Sequence, residues 1–195
     1  PFAALLPHIE AFYALNRQTR LNFTHHTLAG SWEELTHNGA DIILGAINEP
    51  PTSAAWSYHM LGTLDNVFVV SPHHPLAAVP EDLTNEQLCL HRAVIISDSA
   101  RYCHPLQTNL MDEQPQIRVD DFNSKVMLLR AGIGCGFLPR HIASPWLSTG
   151  ELVEKSVISF RQKDVAYMAW RNGSDGLAQR WWRETLLASA EIARL

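Results

Sequence analysis

The chain has 195 residues, 46% hydrophobic and 18% charged, so it can bury a core as one large domain or two small lobes, and no stretch is low-complexity. A formal net charge of −5 with no lysine or arginine cluster excludes a chain that grips nucleic acid by itself, because phosphate binding needs a basic face. No apolar run approaches about 18 residues, so no membrane-spanning helix is expected, and no basic-then-apolar leader is seen.

Leu5, Ile9, Phe12 and Tyr13 fall on one face of a helix over about residues 3–16. Leu21–Thr27 reads as a strand. Gly30-Ser31 ends it, with Ser31 as N-cap and Glu34 three residues on, a capping box that opens a short helix Trp32–His37. Asn38-Gly39 is the stop signal. Asp41–Ile47 is nearly continuous apolar sequence, which suits a strand covered on both faces, as in a parallel sheet. After a loop at Asn48–Ser53, Trp56–Leu64 and Asn66–Val70 read as two strands, and Pro72, Pro75 and Pro80 mark a linker-like passage.

A second α/β unit follows. Thr84–Cys89 reads as a short helix, Ala93–Ser97 as a buried strand and Ile117–Val119 as another. Phe122–Ala131 is a helix with Phe122, Val126 and Leu129 on its apolar face, and Cys135–Leu138 is a strand stopped by Pro139. Val157–Phe160 and Val165–Trp170 are expected strands, and a last helix runs from about Asp175 to Ala193. Two α/β units with strands passing between them predict two lobes, residues 1–71 with 164–195 and residues 72–163. Ligands of open α/β sheets bind outside the carboxyl ends of strands, so a cleft between the lobes is the expected site.

Several stretches resemble one known family. Ala29-Gly30-Ser31-Trp32-Glu33-Glu34-Leu35, followed by Asn38-Gly39-Ala40-Asp41-Ile42-Ile43-Leu44-Gly45-Ala46, is similar to a run found in effector domains of LysR-type transcriptional regulators. Val67–Ala77, which ends in His-Pro-Leu-Ala, resembles their crossing strand and turn. Ser97–Arg101, Leu129–Ala143 and Met168–Arg171 resemble further family segments, in family order. The resemblance implies a two-lobed type-2 periplasmic-binding-protein-like α/β fold, with Rossmann-like lobes joined by crossing strands. It also implies a cytoplasmic homodimer or homotetramer that senses a small-molecule effector. Promoter DNA would be contacted through an N-terminal helix-turn-helix, which has no counterpart in these residues, nor has the family's first strand. A periplasmic solute-binding protein of a transport system is the main alternative on the same fold.

The candidate effector contacts are Ser31, Trp32, Ala46, Asp98, Ser99, Ala100, Arg101, Asp121 and Phe122. Ser31 and Trp32 open a helix whose N–H groups can hold an anion or a carbonyl, although Ser31 can equally be a cap and Trp32 a packing residue. Arg101 can pair a ligand carboxylate in bidentate fashion, or Asp98 beside it. Asp121 is a natural N-cap for the helix at Phe122, and that helix end faces the cleft in the implied fold.

Catalytic and metal chemistry find little support. The three cysteines, Cys89, Cys103 and Cys135, are odd in number and contain no C-x-x-C, which fits a reducing compartment better than disulfides or zinc. His25-His26 point to opposite faces of a strand, and His73-His74 sit in a turn. Gly132, Gly134 and Gly136 follow a helix and enter a strand, so they suit a tight turn and not a dinucleotide site. Glu33-Glu34 and Glu81-Asp82 read as solvated acids. No catalytic residue, cofactor or metal ligand is expected.

Overall fold

A computed structural model of the chain describes residues 2–15, 18–37, 39–47, 49–80, 82–104, 106, 114–158, 163–173, 176–190 and 192. A 3-10 turn, Phe2–Leu5, leads into α1 (Leu6–Leu15), then α2 (Ala29–Thr36), β1 (Ile42–Ile47) and β2 (Trp56–Val70). After a second 3-10 turn at Pro75–Ala78 come α3 (Asn85–Cys89), β3 (Ala93–Ile96), β4 (Gln116–Val119), α4 (Phe122–Arg130) and β5 (Gly136–Pro139). The chain continues with α5 (Arg140–Ser148), β6 (Val153–Lys155), β7 (Lys163–Arg171) and α6 (Leu177–Ala188).

The chain forms two units: residues 1–63, 100–103 and 165–195, and residues 64–99 and 104–164. Residues 64–71 thus group with the second unit and 100–103 with the first, a different partition from the one drawn on sequence.

In the first unit β1 pairs antiparallel with β7, from Ile42 opposite Trp170 to Ile47 opposite Ala166. Gly45 adopts a φ of 79°, and the register shifts there, which sets Ala46 opposite Tyr167. Trp32 and Leu35 of α2 pack on Ile43, Ala46 and Ala169. Phe12 is the one buried residue of α1, held against the rings of Trp181 and Trp182 on α6.

In the second unit, the last part of β2 pairs antiparallel with β5 and β6, while β3 and β4 pair in parallel. One core joins Val67, Val69, Val94, Val126, Leu129 and Leu138, and another joins Phe68, Val70, Leu76, Leu83 and Phe137. The glycines divide their work. Gly132, with a φ of 71°, makes the turn after α4. Gly134 and Gly136 let β5 approach β3, because a Cβ on them would come within 2.4 Å of the Arg92 carbonyl oxygen and 2.8 Å of that of Val94.

Several expectations give way to tertiary context. The 21–27 segment has no ladder. Asn22–His25 are exposed, and Phe23 is tied by edge-on ring contacts to Phe2 and Trp182. The two strands expected at 56–64 and 66–70 are one, because Asp65 stays in the ladder with its side chain exposed. The only ladder of β1 among the described residues is antiparallel, against the parallel reading of its apolar run. Helix α5, with Pro145 inside it, and β6 were not legible behind their proline and charged residues. Val157 makes an isolated bridge to Leu83, while the rest of the strand expected at 157–160, Asp175, and the stop residue Asn38 lie wholly or partly outside the described residues.

Candidate functional site

Helix α2 begins three residues earlier than its sequence predicts. Leu28 adopts φ 54° and ψ −127°, a conformation rare for a residue with a Cβ, and turns the chain into the helix at Ala29. No side chain caps this end, so the capping box expected at Ser31 and Glu34 does not form. Ser31 is instead the third helical residue, half-buried, with its N–H on the Leu28 carbonyl at 3.2 Å. The Glu34 carboxylate lies 3.5 Å from His26. Among the described residues a capping box forms at Thr84 and Gln87, where α3 begins.

Trp32 and Ala46 are 5% and 3% exposed and belong to one core. The Trp32 indole N–H donates to the Ile47 carbonyl at 3.1 Å, so this side chain joins α2 to the end of β1.

The next residue carries a feature that local sequence could not show. Glu33, expected in solvent, is 8% exposed. Its carboxylate accepts the backbone N–H groups of Arg101, Tyr102 and Cys103 at 2.7, 2.7 and 2.8 Å. Burial by itself would raise the Glu33 pKa, but these bonds, with one from the Cys103 thiol, together overcome it and hold the pKa down at about 2. The ring of Tyr102 lies over His37, with centroids 4.7 Å apart, so the 101–103 segment rests on α2 at a second point.

Arg101 is therefore anchored by its main chain while its side chain stands exposed. It makes no ion pair among the described residues. Ala100, beside it, is half-buried.

The remaining expected contacts are in the second unit. Asp98 and Ser99 follow β3 and are half-buried, and Asp98 Oδ2 accepts the N–H of Leu106 at 2.6 Å. Asp121 is the N-cap of α4. It accepts the Ser124 N–H at 2.9 Å and the Ser124 hydroxyl at 2.6 Å, as its position before Phe122 predicts. Phe122 packs its partly buried ring on the Val67–Leu138 core. Two surface hollows of this unit, one at Arg140 and Glu154, the other at Ser71 and Arg130, contain none of the expected contacts.

Two other buried groups had no sequence signal. Lys125 on α4 is 6% exposed, with its Cε beside Gly136, and burial pushes its pKa down to about 8 against a small opposing effect of Cys135. His74 uses Nδ1 to accept the Leu76 N–H at 3.2 Å and cap the turn at Pro75–Ala78. Burial, then the neighbouring His91, lowers its pKa. Among the described residues no three His, Cys, Asp or Glu side chains are grouped to hold a metal ion.

With this geometry in place, the chain matches the LysR substrate binding domain over residues 2–191. It belongs to that family. This LysR substrate binding domain is 42% identical over 193 residues, 99% of its length, to YeeY, an uncharacterized HTH-type transcriptional regulator of Escherichia coli strain K12. It is 32% identical over 181 residues, 93% of its length, to the probable HTH-type transcriptional regulator YhaJ of the same organism. The chain spans 62% and 60% of those two relatives. Among solved structures, the regulatory domain of MetR, a LysR family regulator from N. meningitidis, superposes with a TM-score of 0.64 at 20% identity, covering 96% of this chain and 89% of that one. ArgP from Mycobacterium tuberculosis gives 0.62 at 18% identity, covering 95% of this chain and 60% of that one.

The fold is thus the α/β, periplasmic-binding-protein-like fold of LysR regulatory domains, and the chain is an effector-binding regulatory domain of that type. The curated relatives are transcriptional regulators, which does not favour a transporter's solute-binding protein. Among the described residues no helix is long and apolar enough to cross a membrane.

Proposed function

We propose that this domain senses a small metabolite on behalf of a longer, cytoplasmic LysR-type regulator. That regulator acts as a homodimer or homotetramer and reaches promoter DNA through an N-terminal helix-turn-helix, without enzymatic activity or a cofactor. The observation that carries the reading is the anchored segment at 101–103: a buried carboxylate fixes three consecutive main-chain N–H groups while leaving the Arg101 side chain exposed, an arrangement suited to presenting a contact to a ligand.

The residues proposed to meet the effector are Ser31, Trp32, Ala46, Asp98, Ser99, Ala100, Arg101, Asp121 and Phe122. Effector binding biases a pre-existing equilibrium of arrangements, which alters how the DNA-binding domains sit on the promoter. The lobe partition near residues 71 and 164 is part of this proposal. A thermal-shift screen of small metabolites against the chain tests the sensing role, since a ligand of the native state raises the melting temperature. A hit should also change promoter binding by the full-length regulator in a mobility-shift assay. Promoter binding indifferent to every stabilising compound overturns the proposal.

A further inference from the structure

In the first unit the residues proposed to meet the effector carry one charge, the base Arg101, and one acid, Glu33, adjoins them on α2. Charge by sign alone leaves the ligand class open, because free carboxylates would select a donor-rich ligand and a free guanidinium an anion. The hydrogen bonds decide between these. Glu33 accepts from three main-chain N–H groups. Both of its oxygens are thus engaged by main-chain donors, and a cationic ligand would have to compete with those bonds. Arg101 is exposed and makes no ion pair among the described residues.

We infer that the effector is an anion, a carboxylate or a group of like geometry, held by the Arg101 guanidinium, and that Glu33 is the positioning residue for Arg101. The inference rests on the effector-sensing reading above. Glu33 holds the main chain at Arg101 and at the two residues after it, so the direction in which the arginine side chain leaves is set before any ligand arrives. A planar guanidinium presented in this way matches the two oxygens of a carboxylate. Because the grip is on backbone N–H groups, substitution of the Arg101 side chain leaves it in place.

The probes are a set of mono- and dicarboxylates, each paired with its amide and with the matching primary amine. They are applied to the wild-type chain, R101Q, E33Q and the double variant. At least one carboxylate should raise the wild-type melting temperature while its amide and amine do not. R101Q should melt as wild type does without ligand and should lose about tenfold or more in affinity for that carboxylate. E33Q should also weaken carboxylate binding, but should add nothing in the R101Q background, which separates positioning from general destabilisation. Stabilisation by an amine or amide, with an affinity R101Q does not change, overturns the anion assignment and leaves the sensing role standing. An E33Q loss that persists undiminished beside R101Q overturns the positioning role. If no probe of any class stabilises the wild-type chain and a wider metabolite screen also fails, the sensing role falls together with the inference. A hit in the wider screen that is not an anion removes the inference alone.

Discussion

The indole of Trp32 and the carbonyl of Ile47 are joined by a 3.1 Å hydrogen bond that fastens α2 to the end of β1. Trp32 is 5% exposed, so its substitution should be felt in stability first. Trp32→Phe keeps most of the packing and leaves the Ile47 carbonyl without this donor, for a loss of about 1 kcal/mol. Trp32→Ala also opens a cavity against Leu35, Ile43 and Ala169 and should cost about 3–5 kcal/mol. Urea denaturation of the two variants checks the order.

Glu33 should give the domain an acid-dependent stability. Its pKa in the fold is about 2, against an ordinary value of 4.5, so the unfolded chain takes up the proton first as pH falls. The contribution is complete above about pH 4.5 and is lost as pH falls through 4.5 toward 2. Glu33→Gln should lower stability at pH 7 and flatten the dependence in that window. Urea midpoints at pH 7, 4.5 and 3 for both proteins test this, and equal slopes would refute it.

Local patterns made much of the fold readable. The apolar run at 42–47, the Asp121 cap with the helix after it, and the strand at 165–170 are all near where periodicity puts them. Misreadings arose where distant residues decide. Leu21–Thr27 has a strand's composition but no partner strand among the described residues, and a φ of 54° at Leu28, which no composition announces, moves the start of α2. Arg101 was legible as a candidate because a lone arginine follows a strand's carboxyl end. Glu33 was not, since its three donors are 68 to 70 residues away and its own neighbours look like those of a solvated acid.

Lys125 should make the domain more stable at alkaline pH. Burial pushes its pKa to about 8 from an ordinary 10.5, so the unfolded chain holds the proton more tightly than the folded one between those values. Stability therefore rises from about pH 8 to 10.5, and the burial of the charge is a cost below pH 8. Lys125→Met should raise the pH 7 melting temperature by about 2–4 °C, or about 1 kcal/mol, and abolish the alkaline rise. Melting curves at pH 7 and pH 9.5 decide it.

Gly134→Ala should be strongly destabilising for a steric reason. The new Cβ would come 2.4 Å from the Arg92 carbonyl oxygen, which itself accepts the Cys135 N–H at 2.9 Å and cannot retreat without loss of that bond. The expected cost is about 1–3 kcal/mol. Gly150→Ala is the control: its Cβ would meet open space, and only the φ of 74° is strained, for about 1 kcal/mol. Similar losses for both would mean that β5 can shift away from β3.

The reach of the Glu33 contact, 68 to 70 residues along the chain, also bears on the order of assembly. Synthesis runs from the N-terminus, so Glu33 is made well before its donors. Until the segment through Cys103 has emerged and closed that long loop, Glu33 is an ordinary hydrated acid, and the closure entropy is met before any of the three bonds is gained. The backbone that aims Arg101 is thus set by a high-contact-order event. A slow-folding or destabilised variant should lose the shape of this segment before it loses the helices on either side.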